Sequence, residues 1–199
     1  MKLTKQELGR QLIHIAMGII LVIMYYFNIL SPLSVFLGII VGVMASIISK
    51  RIKLPVFDTF LNYFERENER KNFPGRGMIY FFVGVLLVMQ LFEKDIAMAS
   101  IMILALGDSI SHIIGERFGQ LNNIFNCKSK KLFEGTIAGA LAGFIGAVFF
   151  VSIPLAFIAS FGAMIAEVIQ IDLNGNSLDD NIVVPLIAGT IMFLLRMYA

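Results

Sequence analysis

Seven stretches of the sequence are apolar almost without interruption. A helix of about 20 apolar residues spans the hydrocarbon core of a bilayer, where backbone groups must be hydrogen-bonded within the protein. The pattern therefore predicts an all-α, polytopic membrane helix bundle with about seven transmembrane helices, forming a single domain over residues 1–199. The predicted segments are 11–29, 32–49, 78–92, 96–114, 136–151, 153–169 and 182–197.

The composition excludes several other classes of protein. Of the 199 residues, 58% are hydrophobic and 15% are charged, against about 25% charged in soluble domains. A soluble globule of this size could not bury so much apolar surface, so disorder, nucleic-acid binding and a disulfide scaffold are excluded. Cys127 is the single cysteine and cannot form an internal disulfide. No small-residue cleavage site follows the first apolar stretch, which is therefore interpreted as a retained helix.

The basic residues predict the orientation of the chain. Of the 16 Lys and Arg residues, 14 lie in the amino-terminal segment and in two long loops, 50–77 and 116–135. Seven spans place these regions on one side, which the positive-inside rule makes cytoplasmic. The amino terminus is predicted inside and the carboxyl terminus outside, in a multi-pass protein of the cell membrane if the source is prokaryotic. Polar groups on one side favour an enzyme with a cytosolic substrate over a transporter, which exposes polar groups to both sides in turn.

The first candidate site is the segment 106–119, where Asp108 interrupts an otherwise apolar span. An ionisable residue inside a span is a functional-site hypothesis by default. Helical spacing places Ser111 and His112 on the face of Asp108, and a carboxylate beside hydroxyl groups suits Mg²⁺. The alternative is that Asp108 caps a helix that is broken at Gly107. For His112, packing or a hydrogen bond is favoured over metal binding or proton transfer.

The second candidate site is a basic loop followed by a helix start. Lysines beside a helix amino terminus form an anion site, because the helix dipole and the free N–H groups add to their charge. A polyphosphate is the expected ligand, and an ordinary positive-inside anchor is an equally supported alternative. The residues are Lys128, Lys130 and Lys131, followed by Glu134, Gly135 and Thr136.

Acidic residues near the carboxyl terminus would complete a metal site begun by Asp108. Asp179, Asp180 and Asn181 lie at the mouth of the last span, and Glu167 lies near the end of the preceding span. Taken alone, the first three residues favour a solvated turn that caps the last helix. For Glu167, burial or pairing with another side chain is equally supported.

A polar stripe enters the membrane on the first predicted helix. Helical angles place Glu7, Arg10, His14 and Gly18 on one face. A Glu–Arg pair at this spacing is also common as simple helix support, so a role at the site and a structural role are both open. Arg76, in the turn before the third span, is a further group that would face phosphates.

Together and in this order, the motifs resemble those of the polyprenol kinase family. This family comprises the dolichol, phytol and farnesol kinases and the CTP-dependent diacylglycerol kinase, and it shares ancestry with the phosphatidate cytidylyltransferases. Three positions depart from the family pattern: Gln11, Ser111 and Leu132. The matching residues, spread over nearly the whole chain, are Glu7 to Gly18, Pro74 to Tyr80, Gly107-Asp108 with Gly115 and Phe118-Gly119, Ser129 to Thr136, and Glu167 with Asp180-Asn181 and Pro185.

The resemblance implies phosphoryl transfer from CTP to the hydroxyl group of a membrane lipid alcohol at the cytoplasmic face. The alcohol would be a polyprenol such as dolichol, a phytol-type prenol or diacylglycerol, and the residues alone do not distinguish CTP from ATP. We predict that Asp108 and Asp180 hold Mg²⁺ with help from Asn181, and that Asp179 and Glu167 are further candidate ligands. Lys130, Lys131 and the helix start at 134–136 would hold the phosphates, assisted by Lys128, Arg10 and Arg76. Either a carboxylate (Asp108, Asp180 or Glu134) or His14 would take the hydroxyl proton.

Two other functions remain alternatives. A cytidylyltransferase would join CTP to a lipid phosphate with similar nucleotide and metal sites, but the longer carboxyl-terminal signature of those enzymes, with its Lys-Arg and His-Gly-Gly elements, is absent. A non-catalytic membrane transporter or scaffold would show no metal dependence. The expected partners are the lipid bilayer, the lipid alcohol and a nucleotide, and the sequence leaves homodimer formation open.

Overall fold

The computed structural model describes residues 4–52, 73–122, 131–169, 172–173 and 176–198, and this part of the chain is almost entirely helical. A π-helical segment, Ile103–Asp108, lies between the fourth and fifth α-helices. Two short strands, β1 (Asp172–Leu173) and β2 (Asn176–Ser177), pair antiparallel. The α-helices of the described residues are α1 (Lys5–Tyr26), α2 (Pro32–Ser49), α3 (Arg76–Leu91), α4 (Lys94–Met102), α5 (Ser109–Phe118), α6 (Phe133–Ala147), α7 (Ile153–Ile169) and α8 (Asp180–Tyr198).

Each of the seven predicted apolar stretches contains a helix, so the prediction of an all-α chain is confirmed. The bounds of α2 and α7 agree with the prediction, whereas α6 begins three residues earlier, at Phe133. In the described part of the chain, four helices are long and apolar enough to cross a membrane: α1, α2, α8 and the continuous helix Lys94–Phe118. The helices α3, α6 and α7 are apolar but shorter. The seven-span topology and its orientation stay predictions.

The ends of the first two helices follow from their sequences. Thr4 Oγ1 accepts a hydrogen bond of 3.2 Å from the Glu7 N–H group and caps the start of α1. Asn28, just after α1, has a left-handed backbone with φ of 58°, which asparagine tolerates better than most residues. Ser31 and Ser34 form a capping box at the start of α2. Local side chains therefore set the tight connection between α1 and α2.

The helix that carries Asp108 lies at the centre of the bundle. α4, the π-helical segment and α5 form one continuous helix, and the π-helical segment contacts α1, α6, α7 and α8. Ile101 and Leu104 on this helix are fully buried. The chain stays helical through Gly107 and Asp108, so the alternative of a broken helix capped by Asp108 is wrong. A π turn holds one more residue than an α turn and rotates the side chains around it, a device common at functional sites.

Glycines at helical spacing bring α6 against this central helix. The repeat at positions 135, 139, 143 and 146 predicts a closely packed face, and the structure confirms it. A Cβ atom at Gly139 would lie 2.6 Å from the carbonyl oxygen of Gly107, and one at Gly143 would lie 3.3 Å from Ile103 Cα. Because glycine has no Cβ, the two backbones approach closely along the segment that ends at Asp108.

A charged cluster lies at the end of the bundle where α1 ends and α4 begins. Arg196 Nη1 lies 2.5 Å from Glu93 Oε2, and Arg196 Nη2 lies 2.6 Å from Asp95 Oδ2. Lys94 Nζ donates a hydrogen bond of 2.7 Å to Asn28 Oδ1. Lys94 and Arg196 are the two basic residues predicted to lie away from the cytoplasm, and the structure places both at this one end.

Candidate active site

Three carboxylates from three helical segments meet inside the bundle. Asp108 ends the π-helical segment, Glu167 lies in the last turn of α7, and Asp180 is the first residue of α8. Their carboxylate oxygens lie within 4.8 Å of one another. Glu167 is only 1% exposed, and the other two residues are partly buried. Buried like charges at this distance repel strongly, so the cluster requires compensating positive charge.

Lys131 supplies part of that positive charge. Its Nζ atom lies 2.9 Å from Asp180 Oδ2 and 3.4 Å from Asp108 Oδ1, and it also contacts Glu167 Oε1. Burial disfavours the ammonium form, but the carboxylates of Asp108 and Asp180 outweigh burial and raise the pKa of Lys131. The lysine therefore stays protonated. Among the described residues of the cluster, the formal charges of the three carboxylates exceed that of Lys131 by two.

Two buried oxygen atoms, one in the cluster and one on the residue that follows Asp180, have no hydrogen-bond partner among the described residues. They are Glu167 Oε2 and Asn181 Oδ1. Buried polar atoms are nearly always hydrogen-bonded, so such atoms point to a ligand. Carboxylate and amide oxygens are the ligands that Mg²⁺ prefers, and the excess of two negative charges matches its charge. The residues at this site therefore fit a divalent cation.

Asp179 lies beside the cluster and joins two other side chains. Its Oδ1 atom accepts hydrogen bonds from Asn181 Nδ2 at 2.8 Å and from the Asn181 N–H group at 3.2 Å. Its Oδ2 atom lies 3.9 Å from Arg76 Nε, and the Arg76 guanidinium lies 5.1 Å from the centroid of the Tyr80 ring. Asp179 thus connects Asn181 to Arg76 and is not one of the three clustered carboxylates.

The polar stripe of α1 faces α5. Glu7 Oε1 accepts hydrogen bonds from Arg10 Nη2 at 2.5 Å and from Gln11 Nε2 at 3.3 Å, and it lies 2.6 Å from His112 Nε2. His112 Nδ1 lies 3.8 Å from Glu116 Oε1. The buried Glu7 side chain therefore couples the start of α1 to the helix that follows Asp108, and His112 has the paired role that its sequence context favours.

The same stripe continues along α1 toward the π-helical segment. A Cβ atom at Gly18 would collide with Ala105 Cβ, so α1 packs directly on that segment. The His14 ring lies edge-on to Phe81, with 4.4 Å between the ring centroids. His14 Nε2 is buried and has no hydrogen-bond partner in the described part of the chain. The stripe therefore lies against the central helix rather than against solvent.

Comparison with known proteins gives relatives that match most of the chain. An uncharacterized protein of Methanocaldococcus jannaschii is 31% identical over 94% of this chain and 93% of its own length. A probable phytol kinase of Triticum aestivum is 25% identical over 98% of this chain and 69% of its own length. CTP-dependent diacylglycerol kinase 1 of Schizosaccharomyces pombe is 23% identical over 96% of this chain and 94% of its own length.

The chain belongs to the polyprenol kinase family. The phytol kinase of Triticum aestivum and the diacylglycerol kinase of Schizosaccharomyces pombe match nearly all of it, so these matches include the segments that carry the clustered carboxylates. No family model matches the chain, and no solved structure matches it.

The predicted phosphate-binding loop of this polyprenol kinase family member is described only in part. Lys131 lies in the acidic cluster, as described above. Lys128 and Lys130 lie outside the described residues, so their predicted contact with phosphates stays a prediction.

The start of α6 is tied to the residues that follow α5. The Glu134 carboxylate accepts hydrogen bonds from the backbone N–H groups of Gln120 at 2.9 Å and of Leu121 at 3.1 Å. Gly135 and Thr136 are buried, and a Cβ atom at Gly135 would lie 2.5 Å from a carbonyl oxygen of α5. Glu134 therefore anchors a loop in this structure, and its catalytic role stays a prediction.

One residue of the site has a signal in the sequence that is easily overlooked. A Cβ atom at Gly84 would collide with the backbone carbonyl oxygen of Asn181, so Gly84 lets α3 pack against the start of α8. Glycine inside an apolar helix costs about 1 kcal/mol relative to alanine and usually has a packing reason. The presence of glycine within the apolar helix α3 is therefore the sequence feature that indicates close packing at position 84. The contact of Glu7 with His112 carries no comparable local signal.

Proposed function

We propose that this chain is a CTP-dependent kinase that phosphorylates a membrane lipid alcohol at the cytoplasmic face of the bilayer, with Mg²⁺ as cofactor. The observation that carries the proposal is the buried cluster of Asp108, Glu167 and Asp180 around Lys131, with two negative charges in excess. Phosphoryl transfer needs little covalent chemistry from the protein and depends on positioning and on charge stabilisation. A buried group of carboxylates with a lysine serves both needs.

Asp108, Glu167 and Asp180 would hold the cation, with Asn181 Oδ1 as a further ligand. The support for this set is the short distances among the three carboxylates and the unpartnered oxygens of Glu167 and Asn181. When bound, Mg²⁺ neutralises phosphate oxygens and stabilises the charge that develops on them. Asp179 would hold Asn181 in place through the hydrogen bond between their side chains.

Basic side chains around the cluster would bind the phosphates of the nucleotide. Lys131 already contacts the carboxylates, and Arg76 lies near Asp179 beside them. Lys128 and Lys130 precede Lys131 in the sequence and would add charge on the same loop. Arg10, which pairs with Glu7 on α1, is the most distant candidate. The name of the CTP-dependent diacylglycerol kinase relatives supports CTP as the donor.

The acceptor would be the hydroxyl group of a lipid with a large apolar body. Relatives named phytol kinase and diacylglycerol kinase support this class, which also includes polyprenols such as dolichol. Helices of membrane length support a multi-pass membrane protein. The excess of basic residues in the amino-terminal segment and the long loops supports a cytoplasmic site, where the nucleotide is available.

The proposed reaction balances without a further reactant. The hydroxyl oxygen of the lipid forms a bond to the γ-phosphorus of CTP and gives up its proton. The bond between the γ-phosphorus and its bridging oxygen breaks, and the electron pair leaves with CDP. The products are a lipid monophosphate and CDP, whereas a cytidylyltransferase would release pyrophosphate and form a CDP-lipid.

A product assay on detergent-purified protein tests the proposal. The protein receives Mg²⁺ with CTP or ATP and a panel of prenols and diacylglycerol, and mass spectrometry identifies the lipid and nucleotide products. Asp108→Asn removes one carboxylate charge of the cluster. Asp95→Asn is the matched control, because Asp95 lies on the same continuous helix at the opposite end of the bundle, paired with Arg196.

The expected result is a lipid monophosphate with CDP from the wild-type and Asp95→Asn proteins and no product from Asp108→Asn. Equal activity of Asp108→Asn and wild type would contradict the role of the cluster. A CDP-lipid formed from a lipid phosphate would establish the cytidylyltransferase instead. Absence of any metal-dependent product from all acceptors would support a transporter or scaffold.

A further inference from the structure

His14 is a partly buried side chain with one buried ring nitrogen that no described residue contacts by a hydrogen bond. Its Nε2 atom is buried and has no hydrogen-bond partner among the described residues. The ring contacts Phe81 edge-on, an apolar neighbour that satisfies no polar atom. An unsatisfied buried nitrogen destabilises a fold and is rare, so its retention points to a ligand that is polar at this atom.

The packing of α1 on the central helix places His14 beside Asp108. Near the start of α1, Glu7 contacts His112, and further along α1, Gly18 packs on Ala105. These two contacts define an antiparallel register, in which His14 lies between Glu7 and Gly18 and therefore opposite the residues between Ala105 and His112. Asp108 lies in that interval and is close enough to act electrostatically on the His14 ring.

The other candidate proton acceptors already contact a lysine or backbone N–H groups, whereas His14 Nε2 has no partner among the described residues. The carboxylates of Asp108, Glu167 and Asp180 all contact Lys131 and together form the proposed cation site. Glu134 accepts hydrogen bonds from two backbone N–H groups. His14 Nε2 has no partner among the described residues, and the His14 ring lies between the Asp108 side of the central helix and the apolar Phe81 ring.

We infer that His14 Nε2 binds the hydroxyl group of the lipid acceptor and takes its proton during transfer, an inference that rests on the proposed kinase function. A lipid alcohol has a hydroxyl donor attached to an apolar body, which matches a lone pair beside an aromatic ring. As the hydroxyl oxygen forms its bond to the γ-phosphorus, the O–H electron pair stays on that oxygen and the proton moves to Nε2. The bridging oxygen of the nucleotide keeps the electron pair of the bond that breaks. His14 is thus assigned to the acceptor, and Lys131 to the nucleotide.

Two variants of His14 test this assignment. His14→Phe keeps a ring of similar size but removes the nitrogen, and His14→Gln keeps a hydrogen-bond acceptor that cannot take a proton at neutral pH. Ser46→Ala is the matched control, because Ser46 Oγ is also buried without a partner among the described residues but lies on α2, away from the cluster. Initial rates are measured against the concentrations of the alcohol and of CTP. Nucleotide binding is measured separately as the shift in thermal unfolding on adding Mg²⁺ and CTP.

We expect His14→Phe to lower kcat/KM for the alcohol about 100-fold or more, the usual effect of losing a general base. His14→Gln should keep a KM for the alcohol near that of wild type and lose kcat to a similar extent. Both variants should keep the thermal shift caused by Mg²⁺ and CTP, and Ser46→Ala should match wild type in all respects.

Wild-type rates in both His14 variants would overturn the assignment and leave the kinase function intact. Loss of the nucleotide-dependent thermal shift in both variants would also overturn it, because His14 would then belong to the nucleotide site or to the fold. If the wild-type protein itself phosphorylates no alcohol, the proposed function fails, and the assignment fails with it.

Discussion

Lys131 Nζ lies 3.4 Å from Asp108 Oδ1, although the two residues are 23 positions apart in the chain. The contact brings the segment before α6 onto the central helix at the point where the π-helical segment ends. The ammonium group also reaches Glu167 and Asp180, so it lies among the same oxygens that would hold a cation. The lysine therefore stabilises a cluster of carboxylates that would otherwise repel one another.

Replacing Lys131 by methionine should separate metal binding from phosphate transfer. Lys131→Met removes the positive charge that competes for the carboxylates, so we expect the Kd for Mn²⁺ to fall about tenfold, which corresponds to roughly 1.4 kcal/mol. The rate of transfer should fall at least about 100-fold, because the phosphates lose a charged contact. Electron paramagnetic resonance of free Mn²⁺ measures the first effect, and the product assay measures the second. Lys94→Met, at the opposite end of the bundle, is the control and should change neither the Kd nor the rate. An unchanged Kd for Mn²⁺ in Lys131→Met would contradict the proposal that the lysine and the cation share the same carboxylates.

Glu167→Gln should remove the stabilisation that a divalent cation gives to the protein. A ligand that binds only the folded state at 100 times its Kd stabilises that state by about 2.7 kcal/mol. We therefore expect Mg²⁺ to raise the midpoint of thermal unfolding of wild type and to leave that of Glu167→Gln nearly unchanged. Glu93→Gln, an exposed carboxylate paired with Arg196, serves as the control and should keep the full shift. Equal shifts in wild type and Glu167→Gln would exclude Glu167 as a ligand.

Gly84→Ala should disturb the candidate active site through a steric clash alone. The added Cβ would meet the carbonyl oxygen of Asn181, next to Asp180, so α3 and α8 must move apart. Overpacking of this kind costs about 1–3 kcal/mol of stability, and we expect activity to fall further because Asp180 is displaced. Gly38→Ala is the matched control, because a Cβ at Gly38 meets no atom within 4 Å and alanine favours the helix. Thermal unfolding and the product assay are measured on both variants. Equal unfolding midpoints and equal activities of Gly84→Ala and Gly38→Ala would contradict the close packing of α3 against α8.

Glu7→Ala should loosen α1 without removing a ligand of the metal. Its carboxylate is buried and contacts Arg10, Gln11 and His112. A hydrogen bond to a charged group contributes about 1.5–3 kcal/mol to the free energy of unfolding. The midpoint of thermal unfolding should therefore fall by several degrees. The KM for the alcohol should rise, since α1 also carries His14, whereas the Kd for Mn²⁺ should stay near that of wild type. A weakened Kd for Mn²⁺ would mean that Glu7 acts on the cluster itself.

The helices of this protein were predictable because each is an almost uninterrupted apolar stretch of the sequence. A backbone in hydrocarbon must satisfy its own hydrogen bonds, so apolar runs identify helices wherever they occur. Asp108 was predictable as a candidate site residue for a related reason, whereas Glu167 and Asp180 were expected there only as residues that would complete a site begun by Asp108. A carboxylate in or at the mouth of an apolar span is costly, and its presence requires a partner.

The assembly of the site depends on contacts between distant segments and was therefore less accessible. No local pattern shows that Lys131 lies among three carboxylates or that Glu7 reaches His112, because both contacts arise only when the helices pack. The residues of the π-helical segment form no pattern that distinguishes it from α-helix. The sequence predicts either a regular helix or a break at Gly107, whereas the structure has a π turn against which α1 and α6 pack.

The fate of the phosphorus atoms of CTP tests the central claim most directly. Purified protein in detergent receives Mg²⁺, a lipid alcohol from the assay panel and CTP labelled with ³²P at either the γ or the α position, and the lipid fraction is counted. We predict label in the lipid from γ-labelled CTP, none from α-labelled CTP, and no label at either position with Asp108→Asn. Lipid labelled from the α position, or transfer undiminished in Asp108→Asn, would contradict the assignment of a lipid alcohol kinase built around the cluster of Asp108, Glu167 and Asp180.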